Sequence, residues 1–178
     1  DNASHTQDSS QFSANPNSNA QAQSIQTSSV LSQQDFLARV DLGKSEIRAL
    51  SSNIQEIAAL HQRALSSPDG NSSSQLESLV TQTQLKNTKI RDQIKYLELD
   101  AIKTKDGSKS VKCRQAKQLK SEFEKTLNDF RQEELSYRQR YQEQIARQYR
   151  IVNPDATDAE VDEASRLDWG SEGVFQTV

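Results

Sequence analysis

FLARVDLGKSEIRALSSNIQEIAALHQRA, residues 36–64, places Phe36, Val40, Gly43, Ile47, Leu50, Ile54, Ile57, His61 and Ala64 at alternating steps of four and three. A repeat averaging 3.5 residues keeps one stripe of a long helix turned towards neighbours that run almost parallel or antiparallel to it. Ser67, Pro68, Asp69 and Gly70, followed by Asn71 and three serines, end the run with residues that favour turns. The spacing therefore predicts a first helix over 33–66, about 50 Å long.

Two more runs of the same period follow. Leu76, Val80, Thr83, Asn87, Ile90, Ile94, Leu97 and Ala101 predict a helix over 73–104, closed by Asp106 and Gly107. Thr83 and Asn87 put polar groups into that seam, so a weakly buried stretch is expected there. Ala116, Leu119, Phe123, Leu127 and Phe130, then Tyr137, Tyr141, Ile145 and Tyr149, predict a third helix over 109–152. Pro154 bounds it, because the residue before a proline avoids the helical region. Short connections force antiparallel neighbours. The fold class is all-α, an up-down-up three-helix bundle over 33–153 with helices crossing near 20°. The third helix outruns the others by roughly ten residues, about 15 Å. Tyr141, Ile145 and Tyr149, continuing the line of Tyr137, then form an apolar stripe that the bundle cannot cover, and a further helix, in cis or from a partner, is expected on it.

The flanks differ in composition. Of residues 1–34, 22 are Ser, Gln, Asn or Thr. Phe12, Ile25, Val30 and Leu31 alone cannot offset the entropy of ordering such a stretch, so 1–32 reads as a disordered polar tail. Residues 107–152 carry eleven bases and six acids, whereas 153–178 carry one base and seven acids. An acidic linker, 154–178, thus follows a basic helix and is attracted to it in cis. Thr157 and Glu160 fit a capping box that opens a short helix over 157–167, with Val161 and Ala164 facing inward. The chain begins at Asp1 rather than Met and runs out at Val174-Phe175-Gln176-Thr177-Val178, as expected of a piece of a longer protein.

Composition argues against chemistry. The 178 residues include one cysteine, two distant histidines and no glycine-rich phosphate loop. Cys113 has no partner for a disulfide, and no histidine close by in sequence to activate it. His61 holds a seam position and reads as a core residue. Adjacent acids such as Glu133 and Glu134 point to different faces of a helix and do not make an acid–base pair. No catalytic residue, cofactor or metal is expected. Lys109, Lys112, Arg114, Lys117 and Lys120, and further on Arg138, Arg140, Arg147 and Arg150 among tyrosines, raise a weak nucleic-acid binder as an alternative. The acidic pI of about 5.5 and the helical period of the tyrosines favour packing instead.

Specific motifs add a family. Gln34-Asp-Phe-Leu-Ala-Arg-Val, Asn53-Ile-Gln-Glu-Ile and Leu60-His-Gln-Arg-Ala-Leu-Ser-Ser-Pro resemble the first helix of a syntaxin N-terminal (Habc) domain. Tyr137-Arg-Gln-Arg-Tyr-Gln-Glu-Gln-Ile-Ala-Arg-Gln-Tyr-Arg-Ile resembles the end of its third helix. Ile151-Val-Asn-Pro-Asp-Ala-Thr and Trp169-Gly-Ser-Glu-Gly-Val-Phe are similar to the linker of fungal plasma-membrane syntaxins of the Sso type. The resemblance covers about 33–178 and implies the regulatory domain of a Qa-SNARE (t-SNARE) in exocytosis, on the cytosolic face of the plasma membrane, in a parent anchored by a C-terminal transmembrane helix. It implies a bundle that folds back on its own SNARE motif, in a groove between the second and third helices. It also implies an SM-family protein, a Qbc-type SNARE and a synaptobrevin-type R-SNARE as partners. Val161 and Asp162 match the linker positions that hold the closed form. The family's short charged SM-binding peptide is not evident in 1–34. This stretch by itself is expected to be a soluble monomer without nucleic acid. A generic helical adaptor remains the other reading.

Overall fold

The computed structural model describes residues 29–67 and 71–172. The expected turn at 68–70, the tail up to residue 28 and the segment 173–178 lie outside the described residues. Four helices appear in order among them: α1 (Gln33–Ser66), α2 (Asn71–Lys103), α3 (Lys109–Val152) and α4 (Asp158–Glu172). Helix α1 starts where Ser32, in extended backbone, accepts a hydrogen bond from the Asp35 amide at 3.1 Å. The α2–α3 connection is held by Asp106, whose carboxylate accepts from the amide and the hydroxyl of Ser108.

Each of the first three helices turns its seam inward, and Phe36, Leu50, Ile57, Ile90, Leu97, Leu119 and Phe130 meet in one core. Full burial of a side chain of this size contributes about 1.5–3 kcal/mol. At Gly43 the helices come unusually close: a Cβ there would lie 2.9 Å from a methyl of Leu119, itself fully buried. The seam needs glycine at that level because α3 fills the space a side chain would take.

The polar part of the second seam differs from expectation. Thr83 and Asn87 are buried. The Thr83 hydroxyl bonds back to the Leu79 carbonyl at 2.7 Å, and Asn53 of α1 donates to it at 3.4 Å. Satisfied within its own helix and by a facing polar residue, such a hydroxyl can enter a core at little cost.

Sequence reading missed a second buried polar group. Lys112 is wholly buried, with its ammonium donating to Asp100 at 3.0 Å, to Thr104 at 2.9 Å and to the Leu31 carbonyl at 2.5 Å. The other Asp100 oxygen accepts from the Leu31 amide at 2.7 Å. One ion pair at the α2–α3 corner thus holds both backbone groups of the residue that leads into α1.

Helix α3, at 44 residues, extends past α1 and α2, which have 34 and 33. Helix α4 returns along that extension. Its capping box forms, with Thr157 accepting from the Glu160 amide at 3.3 Å and Glu160 accepting from the Thr157 amide at 3.0 Å. The helix runs to Glu172 rather than stopping near residue 167, and Gly170 lies within it. One glycine costs a helix interior about 1 kcal/mol and does not end it alone.

Candidate docking surfaces on the third helix

Tyr137 packs where the last turns of α1 face α3. Its ring lies flat on that of His61, with centroids 3.9 Å apart and planes 3° from parallel. The His61 Nδ1 lies 3.0 Å from Glu133, which also accepts from Arg140 at 3.4 Å, while Arg140 donates to Gln62 at 2.8 Å. Burial holds the His61 pKa below its ordinary value and outweighs the Glu133 carboxylate, which acts the other way. Tyr137 is accordingly part of the bundle's interior.

The rest of the candidate stripe lies where α4 docks. Tyr141 sits 6.1 Å from Tyr137, tilted by 53°, and Tyr141, Ile145 and Tyr149 are half-buried. Ser165 reaches the Gln142 carbonyl at 3.4 Å, and Arg150 bonds Asp158 at 2.9 Å. These two contacts fix an antiparallel register that sets Val161 level with Ala146 and Arg147. Val161 is 1% exposed, whereas its neighbour Asp162 points to solvent. Helix α4, the chain's own linker, lies along the α3 extension that carries these residues.

The residues of a second surface are not singled out by periodicity. Between α2 and α3 lies an open groove of about 520 Å³. Ile94, Phe123 and Leu127 form its floor, and Arg91, Lys95, Glu98, Lys120, Glu124 and Arg131 stand around it. Lys120 and Glu98 pair across it at 3.4 Å. The three apolar residues look like plain core in a heptad pattern. The usable signal is the row of charges beside each seam, at i, i+4 and i+7 on α2 and at i, i+4 and i+11 on α3, which borders an edge where two helices meet solvent.

Several basic residues of α3 are engaged within the chain. Lys112 is buried, Lys109 donates to the Ile102 carbonyl at 3.1 Å, and Lys120, Arg140 and Arg150 pair with acids within the chain. Cys113 is exposed, and no cluster of potential metal ligands occurs among the described residues. No helix among them is long and apolar enough to cross a membrane.

Residues 31–177, which take in the bundle, α4 and the segment after it, match the model of the family described as Syntaxin. The chain belongs to the syntaxin family. Similar relatives include the protein transport protein SSO2 of Candida albicans, 33% identical over 104 residues, which are 58% of this chain and 34% of that protein. Protein SSO1 of Saccharomyces cerevisiae is 28% identical over 144 residues, 79% of this chain and 48% of that protein. The syntaxin-like protein psy1 of Schizosaccharomyces pombe is 28% identical over 133 residues, 72% of this chain and 47% of that protein. The chain thus spans a third to a half of the length of these relatives. A crystal structure of the Unc18–syntaxin 1 complex from Monosiga brevicollis contains a chain of the same fold, with TM-score 0.65 and 22% identity, covering 78% of this chain and 69% of that one. Helices α1 to α3 are therefore the Habc bundle of a syntaxin. Syntaxins are SNARE proteins and not enzymes.

Proposed function

We propose that this Habc domain controls SNARE-complex assembly at the plasma membrane by folding back on the SNARE helix of its own parent protein, which lies in the α2–α3 groove. The single observation that carries this reading is the groove itself. Its floor of Ile94, Phe123 and Leu127 is apolar, and its mixed-charge rim can set the register of an amphipathic helix. Helix α4 lies on the α3 extension and leaves the α2–α3 groove open to a helical ligand. Helix α4, seated by Val161, then holds the elbow from which the rest of the chain departs, and Asp162, exposed beside it, is available to the SNARE helix or to a partner. An SM-family protein is the partner of the closed assembly. This reading carries over to the chain the pairing of Unc18 with syntaxin 1 in the Monosiga brevicollis complex. Qbc-type and synaptobrevin-type SNAREs are the partners of the open parent protein.

The test is the rate at which the parent's full cytosolic region enters a SNARE complex. Lys120→Glu with Arg131→Glu reverses the exposed rim of the groove and leaves the core untouched. The double variant should assemble faster than wild type, because closure is weakened. Equal rates, with an unchanged melting profile, would remove the groove from the mechanism.

A further inference from the structure

The corner that joins α2 to α3 gathers exposed cations: Lys103, Lys105, Lys109, Arg114 and Lys117. Two neighbouring bases differ from them, since Lys112 is buried against Asp100 and Lys120 pairs with Glu98. None of the five enters an ion pair among the described residues, and Lys109 donates to the Ile102 carbonyl at 3.1 Å. Helix α1 starts at the same end, tied there through Leu31 by Asp100 and Lys112. The exposed acids over 31–36 and 102–117 are Asp35 and Asp106, and the Asp106 carboxylate is turned to the amide and hydroxyl of Ser108. Five bases against two acids leave this end with a net charge of +3.

Apolar side chains stand among these cations. Ile102 is 64% exposed, and Leu99, one turn earlier on α2, is 55% exposed. Nucleic acid would call for aromatic rings on which bases can stack. The exposed ring of this end, Tyr96, has the Arg39 guanidinium 4.9 Å over it. An anionic bilayer uses both components present, because bases are drawn to its surface potential and aliphatic side chains enter the headgroup boundary. The acids of the linker lie elsewhere. Asp158, Glu160, Asp162 and Glu163 are exposed on α4, and α3 rises about 60 Å from Lys109 to Arg150, which bonds Asp158. Screening at physiological ionic strength acts within about 8 Å, so a surface that faces the corner does not meet those acids.

We infer that the α2–α3 corner docks on an anionic phospholipid bilayer, with Ile102 at the headgroup boundary and the five exposed bases over the lipid phosphates and carboxylates, so that α4 is held away from the surface. The proposal does not depend on what occupies the α2–α3 groove.

The experiment mixes the 178-residue chain with phosphatidylcholine vesicles, with and without phosphatidylserine, at physiological salt, and reads the bound fraction by sedimentation. Binding is expected with phosphatidylserine alone. Each base near such a surface changes the partition about fivefold, so Lys105→Ala with Arg114→Ala should lower it about 25-fold. Arg63→Ala with Arg147→Ala takes the same charge from the opposite end and should leave the partition unchanged. Ile102→Ser should lower it several-fold at constant charge. All five positions are exposed, and the amide NMR spectrum checks that each variant keeps the bundle. A lipid with a nitroxide at its headgroup should broaden the amides of Ile102, Lys105 and Arg114 and spare those of 158–166. No binding, binding that does not need phosphatidylserine, equal losses in the two double variants, or broadening centred on α4 would each overturn the proposal. So would displacement from the vesicles by a duplex DNA oligonucleotide with Ile102→Ser without effect, since the corner would then be a nucleic-acid site.

Discussion

Burial moves the pKa values of Glu134 and His61 in opposite senses, and the two residues therefore oppose each other in how stability depends on pH. Glu134 has a buried oxygen with no hydrogen-bond partner, and burial raises its pKa to about 7. Between the ordinary carboxylate range and pH 7 the folded chain keeps a proton that the unfolded chain has lost, and stability falls as pH rises through that window. Glu134→Gln should raise the thermal midpoint at pH 8 and change it little at pH 4.5. His61 acts at the other end: its lowered pKa means that the unfolded chain takes up a proton first, so its contribution is lost as pH falls below about 6.5. At the clamp, Lys112→Ala leaves the buried Asp100 carboxylate without its ion-pair partner and should cost about 3–5 kcal/mol in a denaturant titration. Lys112→Met with Asp100→Leu, which removes both charges, should recover most of that loss while releasing Leu31.

At the scale of the helix, two contacts decide register. Gly43→Val forces the α1–α3 approach apart at Leu119 and should destabilise the bundle by about 1–3 kcal/mol, despite valine's better fit to a helix than glycine. Val161→Ala with Asp162→Ala removes about two methylene equivalents from the α4 contact, roughly 1.5 kcal/mol. It should speed amide exchange across Asp158–Arg166 and leave the bundle's melting temperature almost unchanged; a lowered melting temperature would make α4 part of the same cooperative unit. The helices themselves were legible in the sequence because heptad spacing is a property of one element read alone, and the overhang of α3 was legible as an excess of length. What escaped depends on pairs. Lys112 reads as one more base until Asp100, twelve residues earlier, is seen to face it. Thr83 reads as a flaw until Asn53 meets it, and Ile94, Phe123 and Leu127 read as core because periodicity reports the inward face and not how far the next helix covers it.

At the scale of the molecule, α3 belongs to most of the surfaces described. It packs on α1 and α2, bears α4 on its extension and supplies one wall of the groove assigned to the SNARE helix. Helix α4 and that groove use different levels of α3, so the linker can stay docked while the groove fills or empties. The entry clamp separates two burdens in a different way. Asp100 and Lys112 hold Leu31 by its amide and carbonyl, which every residue except proline offers in full. Attachment of the N-terminal segment is thus encoded in two side chains outside it, and the segment can change in composition over many generations without losing its point of departure. A syntaxin built this way is free to vary what it presents to partners near its N-terminus, while the cost of a mistake is concentrated at residues 100 and 112.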